Sequence, residues 1–330
     1  MTVCTPYLYH SCSIFQYQYG RGQGEKTVSI AYFSGLIYIA AKNDMLMGND
    51  MKKTVYKINV EPHHTGTVAE LFCAASSLSK TRVKTAMEKG AAWITVKGKT
   101  TRIRRATAQP IPGSLLALYY DQDILDRTAE PGRLVEDETH YSVWFKPSGL
   151  MSQGTRYGDH VAILRQVECH FKGKRPVFLI NRLDREAEGL MIIAHSRKAA
   201  AALSLRFQRR QVTKHYTAYV KNNPGPMDER SKIAFPLDGK PAVTWYTTLQ
   251  YDVEKNVALV DIRIDTGRFH QIRRHFDMIC CPVMGDPKYG SNNKNKDGLK
   301  LAAVHLAFTC PITGRERSYR VPPSWEGGNS

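Results

Sequence analysis

The chain has 330 residues, 42% of them hydrophobic and 23% charged, with a formal net charge of +17. Those proportions exclude a disordered chain and leave room for two domains. The charge points to a polyanionic partner, nucleic acid before others. Seven cysteines, an odd number with no Cys-x-x-Cys pair, argue against a disulfide framework and against a zinc site. A reducing compartment is expected, with Cys280 and Cys281, beside an apolar helical pattern, as buried thiols. The first basic residue is Arg21, so no charged leader precedes an apolar run. The apolar stretch 29–41 is shorter than the roughly 20 residues of a membrane span. A cytoplasmic protein without membrane contact is expected.

Residues 1–54 form an extension rich in Tyr, Ser and Gly with weak periodicity. No role is assigned to it. Recognisable organisation begins after Met51, which makes Met51 a candidate start of translation. A peptide from residues 1–40 in the mass spectrum of the natural protein would refute that hypothesis.

Residues 55–122 read as a small basic unit. Between Lys80 and Thr107 there are nine Lys or Arg against one acid, Glu88. Helices are predicted over 67–75 and 79–89, with Ser79 as N-cap and Gly90 as the stop. Val83 and Met87 share one face of the second. Strands are predicted over 93–96 and 115–120, with a turn at Lys97-Gly98. Lys80, Arg82, Lys84, Lys97 and Lys99 are candidate phosphate contacts, which would give affinity with little sequence information. Residues 123–138 are polar, contain Pro131-Gly132, and read as a linker.

From 139 to 330 short strands alternate with a few helices, the pattern of an α+β domain. The run 258–264 alternates as a half-buried strand. Helices are predicted over 196–211, with Ser196 as N-cap, and over 270–280, with Ile272, Phe276 and Ile279 on one face. Residues 292–296 read as a polar loop. Asp184 sits in a loop between the apolar runs 177–180 and 190–194, beside Arg182, Arg185 and Gly189. Loops between rigid strands commonly hold catalytic groups. Asp184, Glu186 and Glu188 also form a carboxylate cluster, and paired carboxylates cleave glycosidic bonds.

Longer segments carry two resemblances. Leu78-Ser79-Lys80-Thr81-Arg82, Glu88-Lys89-Gly90-Ala91, Val96-Lys97-Gly98-Lys99 and Pro112-Gly113-Ser114-Leu115 resemble the S-four-type RNA-binding domain, a small α/β module. Lys97 stands where asparagine is common there, and Ser114 where aspartate is common. Asn181-Arg182-Leu183-Asp184-Arg185-Glu186-Ala187-Glu188-Gly189 resembles the signature loop of RluA-type RNA pseudouridine synthases. That loop is normally His-Arg-Leu-Asp, two residues, then Thr-Ser-Gly. Here Asn181 replaces the histidine, and Ala187 and Glu188 replace threonine and serine. Glu188 thereby adds a carboxylate near Asp184. Trp144-Phe145-Lys146-Pro147-Ser148-Gly149-Leu150 looks like the family's early motif and Lys214-His215-Tyr216 its second. Thr266-Gly267-Arg268-Phe269-His270-Gln271-Ile272-Arg273 looks like the third, with phenylalanine in place of threonine. Gly285-Asp286-Pro287-Lys288-Tyr289-Gly290 matches a further turn. In the closing strand Ala302 and Cys310 stand where histidines are common.

The resemblance implies a mixed-sheet catalytic domain preceded by the small RNA-binding domain, and isomerisation of uridine to pseudouridine. It implies Asp184 as nucleophile, attacking either carbon 1′ of the ribose or carbon 6 of the base. Arg273 would be its ion-pair partner, since a nucleophilic carboxylate must be ionised. Tyr216 would pack on the uracil and move a proton as general acid or base. The uridine must leave its stack, so base flipping is expected. Arg182 is a candidate for phosphate binding or for holding the flanking strand open. Arg268 and His270 either contact phosphate or are structural. The expected partner is RNA, ribosomal before transfer RNA, with no metal, no cofactor and a monomeric enzyme. Two other readings stay open: a non-catalytic RNA-binding or ribosome-assembly protein, and a carboxylate-dependent glycosidase.

Overall fold

The computed structural model describes residues 53–322 and, before them, the backbone of four strands. These are β1 (Tyr7–Tyr9), β2 (Cys12–Tyr19), β3 (Lys26–Phe33) and β4 (Leu36–Ala41), an antiparallel sheet in that order. Met51, as a candidate start, lies outside the described residues.

The small basic unit follows. β5 (Thr54–Asn59) leads to α1 (Val68–Ser76) and α2 (Lys80–Glu88), then β6 (Ala92–Val96), β7 (Lys99–Arg102) and β8 (Leu115–Tyr120). Thr67 and Glu70 close a capping box at the start of α1, and the Ser79 hydroxyl accepts the Arg82 N–H at the start of α2. Each arrangement satisfies backbone donors that a helix end leaves open. The sheet order is β5-β8-β6-β7, all antiparallel. Val68, Phe72, Val83 and Met87 of the helices bury against Ile94, Leu116 and Leu118 of the sheet. Each such side chain contributes about 1.5–3 kcal/mol. The β6–β7 turn puts Lys97 at φ 48° and Gly98 at φ 77°. That left-handed pair suits asparagine better than lysine at the first position.

Lys80, Arg82, Lys84, Lys97 and Lys99 are all exposed. Arg102 and Arg104 are not spare cations: they hold Asp159 at 3.3 and 2.6 Å. Trp93 Nε1 donates to the Arg156 carbonyl at 2.9 Å, fastening the unit to the same loop.

The polar stretch after the unit is more ordered than its composition suggests. It holds α3 (Gln122–Leu125) and β9 (Arg133–Asp137), and β9 pairs with β10 (Tyr141–Lys146). Only Leu134 and Val135 of β9 pack on the hydrophobic clusters, too few to show in the sequence. Then come α4 (Ile163–His170), β11 (Phe178–Leu179), β12 (Glu188–Ala194), α5 (Arg197–Gln208), β13 (Thr213–Lys221), β14 (Arg230–Ile233), β15 (Thr244–Asp252), β16 (Val257–Ile264), α6 (Gln271–Met278), β17 (Leu301–Thr309) and β18 (Glu316–Arg320). The Ser196 hydroxyl caps α5 as expected.

These strands form one ten-stranded mixed sheet. Its path is β14-β15-β16-β13-β17-β12-β10-β9, with β11 beside β12 and β18 beside β17. Among these strands only β12 and β17 pair in parallel. This is the α+β architecture expected of residues 139–330. The parallel junction is where the Asp184 loop enters the sheet. Gly189 makes it possible: its φ is 122°, and a Cβ there would lie 2.3 Å from the Ala303 carbonyl oxygen. Backbone that close admits no side chain.

Among the described residues five cysteines are free thiols, of which Cys281 and Cys310 are buried. Cys280 is exposed, against expectation, because it follows the last turn of α6 in a left-handed conformation. No helix among the described residues is long and apolar enough to cross a membrane.

Candidate active site

Asp184 lies within the loop between β11 and β12, and residues 146–152 pin that loop. The Ser152 hydroxyl donates to the Leu183 carbonyl at 2.6 Å and accepts the Leu183 N–H at 3.0 Å. The Gly149 N–H donates to the Arg185 carbonyl at 2.8 Å, and the Ser148 hydroxyl to the Glu186 carbonyl at 2.7 Å. Lys146 is fully buried. Its ammonium has three donors and finds three carbonyls: Pro147 at 2.9 Å, Leu150 at 2.8 Å and Arg185 at 3.2 Å. Burial pushes Lys146 down to about 7, against the pull of Asp184, Glu186 and Glu188. Asp184 is therefore held by backbone on both sides of it.

Lys146 is a positioning residue by this geometry. Lys146→Met is expected to lower kcat by about a hundredfold, the scale of a roughly 1 Å misplacement. Stability should change by only about 1–3 kcal/mol, since the carbonyls left unpaired are offset by removal of a buried charge. Calorimetry and turnover of the same preparation check the split; an unchanged kcat would remove the clamp from the account.

Above the loop, α6 delivers Arg273. Its side chain is 2% exposed, and Nη1 donates to Asp184 Oδ2 at 3.0 Å. The opposite edge is gripped by Asp286, with Nε to Oδ2 and Nη2 to Oδ1 both at 2.7 Å. This is the two-pronged geometry that orients a guanidinium. Burial works against the Arg273 charge, yet Asp286 and Asp184 outweigh it and raise its pKa. Asp286 is itself fully buried and accepts the N–H groups of Lys288 and Tyr289 at 2.8 and 3.1 Å. Burial raises its carboxyl, but Arg273 and those N–H groups bring it below the usual range. Gly285 starts this turn: a Cβ there would lie 1.7 Å from the Gly298 oxygen.

Tyr216 lies on β13, beside β17 and β16. Burial first, and then the charge of Asp184, raises its phenol pKa. Its hydroxyl makes no hydrogen bond to a described residue. His270 caps α6 in a left-handed conformation, φ 52°. Its Nε2 is 3.6 Å from Asp184 Oδ2, and its Nδ1 lies 3.1 Å from the Tyr289 hydroxyl. Burial lowers its pKa, opposed by Asp184 and reinforced by Arg273 and Lys288.

The structure thus brings Asp184, Arg273 and His270 together, with Tyr216 close enough to feel the Asp184 charge. Arg182 is exposed and makes no hydrogen bond or ion pair with a described residue. Arg268 Nε donates to the Pro241 carbonyl at 3.2 Å, so part of that guanidinium is committed to the fold. Lys80, Arg82, Lys84, Lys97 and Lys99 belong to the small unit. Asn181 spans the base of the loop: its Oδ1 accepts the Ile192 N–H at 2.8 Å and its Nδ2 donates to the Leu190 carbonyl at 3.3 Å. Glu188 has Lys146, Lys300 and Arg133 as its cations, and burial raises its pKa. Of Glu186 and Glu188, the one recorded near the site's arginine is Glu186, with Oε2 3.9 Å from Arg273 Nη1.

Asp286, Lys146 and Tyr289 were not assigned roles from sequence. Asp286 and Tyr289 share one short turn with Gly285, and a carboxylate fixed by such a turn was the available signal. A cleft on the Arg185–Glu186 side of the loop is lined by Arg127, Arg185, Lys294 and Lys296 among others.

Comparison with known proteins says which class of protein carries an aspartate and a buried arginine on such a mixed sheet. Residues 140–278, which contain Asp184, Tyr216 and Arg273, match the family described as RNA pseudouridylate synthase. The chain is 30% identical to "Ribosomal large subunit pseudouridine synthase D" of Zymomonas mobilis, over 56% of this chain and 67% of that one. It is 30% identical to "Dual-specificity RNA pseudouridine synthase RluA" of Salmonella typhi, over 57% of this chain and 91% of that one. The fold matches human RNA Pseudouridylate Synthase Domain Containing 1 with a TM-score of 0.51 at 21% identity, over 60% of this chain and 86% of that one. The chain spans about two thirds of the length of the first curated relatives it matches.

The chain belongs to the RluA family of RNA pseudouridine synthases.

Proposed function

We propose that the protein isomerises selected uridines of structured RNA to pseudouridine, with Asp184 as the nucleophile. The observation that carries this reading is the Arg273 bridge, which holds Asp184 on one side and the buried Asp286 on the other. A carboxylate so held is oriented and ready to attack. Attack at carbon 1′ or at carbon 6 makes the same demand on it. The glycosidic bond from ribose to uracil nitrogen 1 breaks, the base turns, and ribose rejoins at carbon 5. The carbon 5 proton is lost to solvent and the nitrogen 1 position gains one, so no redox partner is required. Tyr216, with its raised pKa and unbonded hydroxyl, is suited to lie on the uracil and to carry a proton. Arg182, exposed and unpaired, is suited to the strand that the flipped uridine leaves.

Ribosomal RNA is the favoured substrate, with transfer RNA second. The name of the Zymomonas relative and the separate basic unit both support a large structured RNA. Residues 55–122 act here as an S-four-like RNA-binding domain, with Lys80, Arg82, Lys84, Lys97 and Lys99 on phosphates and 139–330 as the catalytic domain. The Arg127, Arg185, Lys294 and Lys296 cleft offers the backbone a path beside the loop. Residues of this kind supply affinity rather than sequence choice. The enzyme works as a monomer in a reducing, cytoplasmic compartment, in keeping with its free thiols.

The direct test is release of tritium from RNA labelled at uracil carbon 5, since only bond formation at that carbon expels the label. Release by the purified protein supports the reading; tight binding without release would favour a non-catalytic RNA-binding protein. Binding should also weaken steeply with salt, with a slope of about −0.7 to −0.9 per phosphate contact. Reversing Lys80, Arg82 and Lys84 to Glu should reduce that slope by up to about three contacts while leaving kcat unchanged. A salt-independent affinity would contradict the phosphate contacts.

A further inference from the structure

Phe269 stands where the family's third motif has threonine, and nothing in the reaction described above uses it. It is 60% exposed and directly precedes His270 in the chain. One lone exposed aromatic means little. This one has two neighbours that single it out, His270 and Lys288. Its ring stacks on His270 with centroids 3.7 Å apart and planes 22° apart. The same imidazole is 3.6 Å from Asp184 Oδ2. Lys288 Nζ sits 5.8 Å from the Phe269 centroid and 5.5 Å from that of Tyr289. The His270 backbone lies in the left-handed region, φ 52°, a conformation a non-glycine residue adopts only when its surroundings hold it there.

We propose that Phe269 is a stacking platform for the nucleobase next to the uridine that enters the site, with Lys288 neutralising the phosphate beside it. This rests on the reading of Asp184 as the reaction centre. A flipped uridine leaves its neighbour without a stacking partner on one side. An apolar ring one imidazole away from the catalytic carboxylate, with the Lys288 ammonium over it at 5.8 Å, supplies that partner when the ammonium moves onto the adjoining phosphate. Single-stranded RNA is held in this way elsewhere, by aromatic faces and basic side chains together. Stacking is tolerant of base identity, so Phe269 strengthens engagement and favours flanking bases with large faces. His270, covered by Phe269 on one side, is shielded from water while it faces Asp184.

The test uses the full chain and a synthetic RNA stem-loop with a single loop uridine. The base on either side of that uridine is present or is replaced by an abasic nucleotide. Phe269→Ala should weaken binding or raise KM about 5- to 150-fold, the span of one base–aromatic stack. Phe269→Trp should restore it. In the wild type, one of the two abasic probes should lose the same factor. In Phe269→Ala that probe should lose nothing further, because the partner ring is already gone. Because the ring is exposed, the melting temperature of the variants should match the wild type. The proposal is overturned if Phe269→Ala binds like the wild type, or if its loss is the same whichever flanking base is present. Tritium release by the wild type is read in parallel: its absence would remove the isomerase reading, whereas its presence with an indifferent Phe269 removes only this platform.

Discussion

Asp184→Asn is expected to abolish isomerisation, by at least about 10⁴-fold, while RNA affinity stays close to that of the wild type. Losing the nucleophile of a covalent mechanism commonly has an effect of that size. The amide keeps the shape of the carboxylate and a carbonyl oxygen for Arg273, so the loop has no reason to move. Arg273 keeps both contacts to Asp286, and the backbone clamp from Lys146, Ser148, Gly149 and Ser152 does not involve the Asp184 side chain. The RNA contacts proposed for the small unit and for Arg182 are equally untouched. Single-turnover tritium release and filter binding on one preparation separate the two quantities. Residual turnover near the wild-type rate would move the nucleophile elsewhere, and a parallel loss of binding would mean that the loop had collapsed.

Asp286→Ala is expected to be nearly as damaging by a different route. It leaves the Arg273 guanidinium buried with its Nε and Nη2 edge unpaired and two backbone N–H groups without an acceptor. Breaking a buried pair from one side costs about 3–5 kcal/mol, a fall of roughly 10 °C or more in melting temperature for a domain of this size. The freed arginine no longer points at Asp184, so kcat falls with it. The effect has a pH signature. The folded-state pKa of Asp286 lies below its ordinary value, so its contribution is complete above the unfolded pKa and is lost as pH falls through the folded one. Arg273 stays charged throughout. The stability gap between wild type and Asp286→Ala should therefore be full at neutral pH and shrink in strong acid. A gap that grows as pH falls would contradict the pairing.

The sequence disclosed local features and concealed tertiary ones. Ser79 and Ser196 announced helix starts because an N-cap depends on three residues of neighbouring backbone. The alternation of 258–264 marked β16 because one face is buried and the other is not. Asp184 stood out because a carboxylate in a short loop between two apolar runs is held by rigid strands on both sides, and the longer motif then supplied its partner. Asp286 was hidden: its role depends on an arginine thirteen residues earlier meeting it across a turn. Lys146 reads as a solvated cation until its three carbonyls are seen. Arg102 and Arg104 counted toward a nucleic-acid surface, yet the fold commits them to Asp159. β9 was hidden in a polar stretch because only two of its residues face the core. Glu188 looked like the carboxylate beside Asp184, whereas the loop before β12 turns Glu186 toward Arg273.

These corrections sharpen the chemistry without moving its centre. A loop clamped by backbone carries Asp184, the proposed nucleophile, and an arginine clamped by a second carboxylate aims at it. RNA engagement is then proposed to rest on exposed groups around that core: Arg182, Phe269, the basic cleft and the small unit.

The most direct check is a transcriptome-wide pseudouridine map of cells that lack this protein, complemented with the wild type or with Asp184→Asn. One or a few sites are expected to vanish, to return with the wild type and to stay absent with Asp184→Asn. Sites that persist without the protein, or that Asp184→Asn restores, would contradict this expectation.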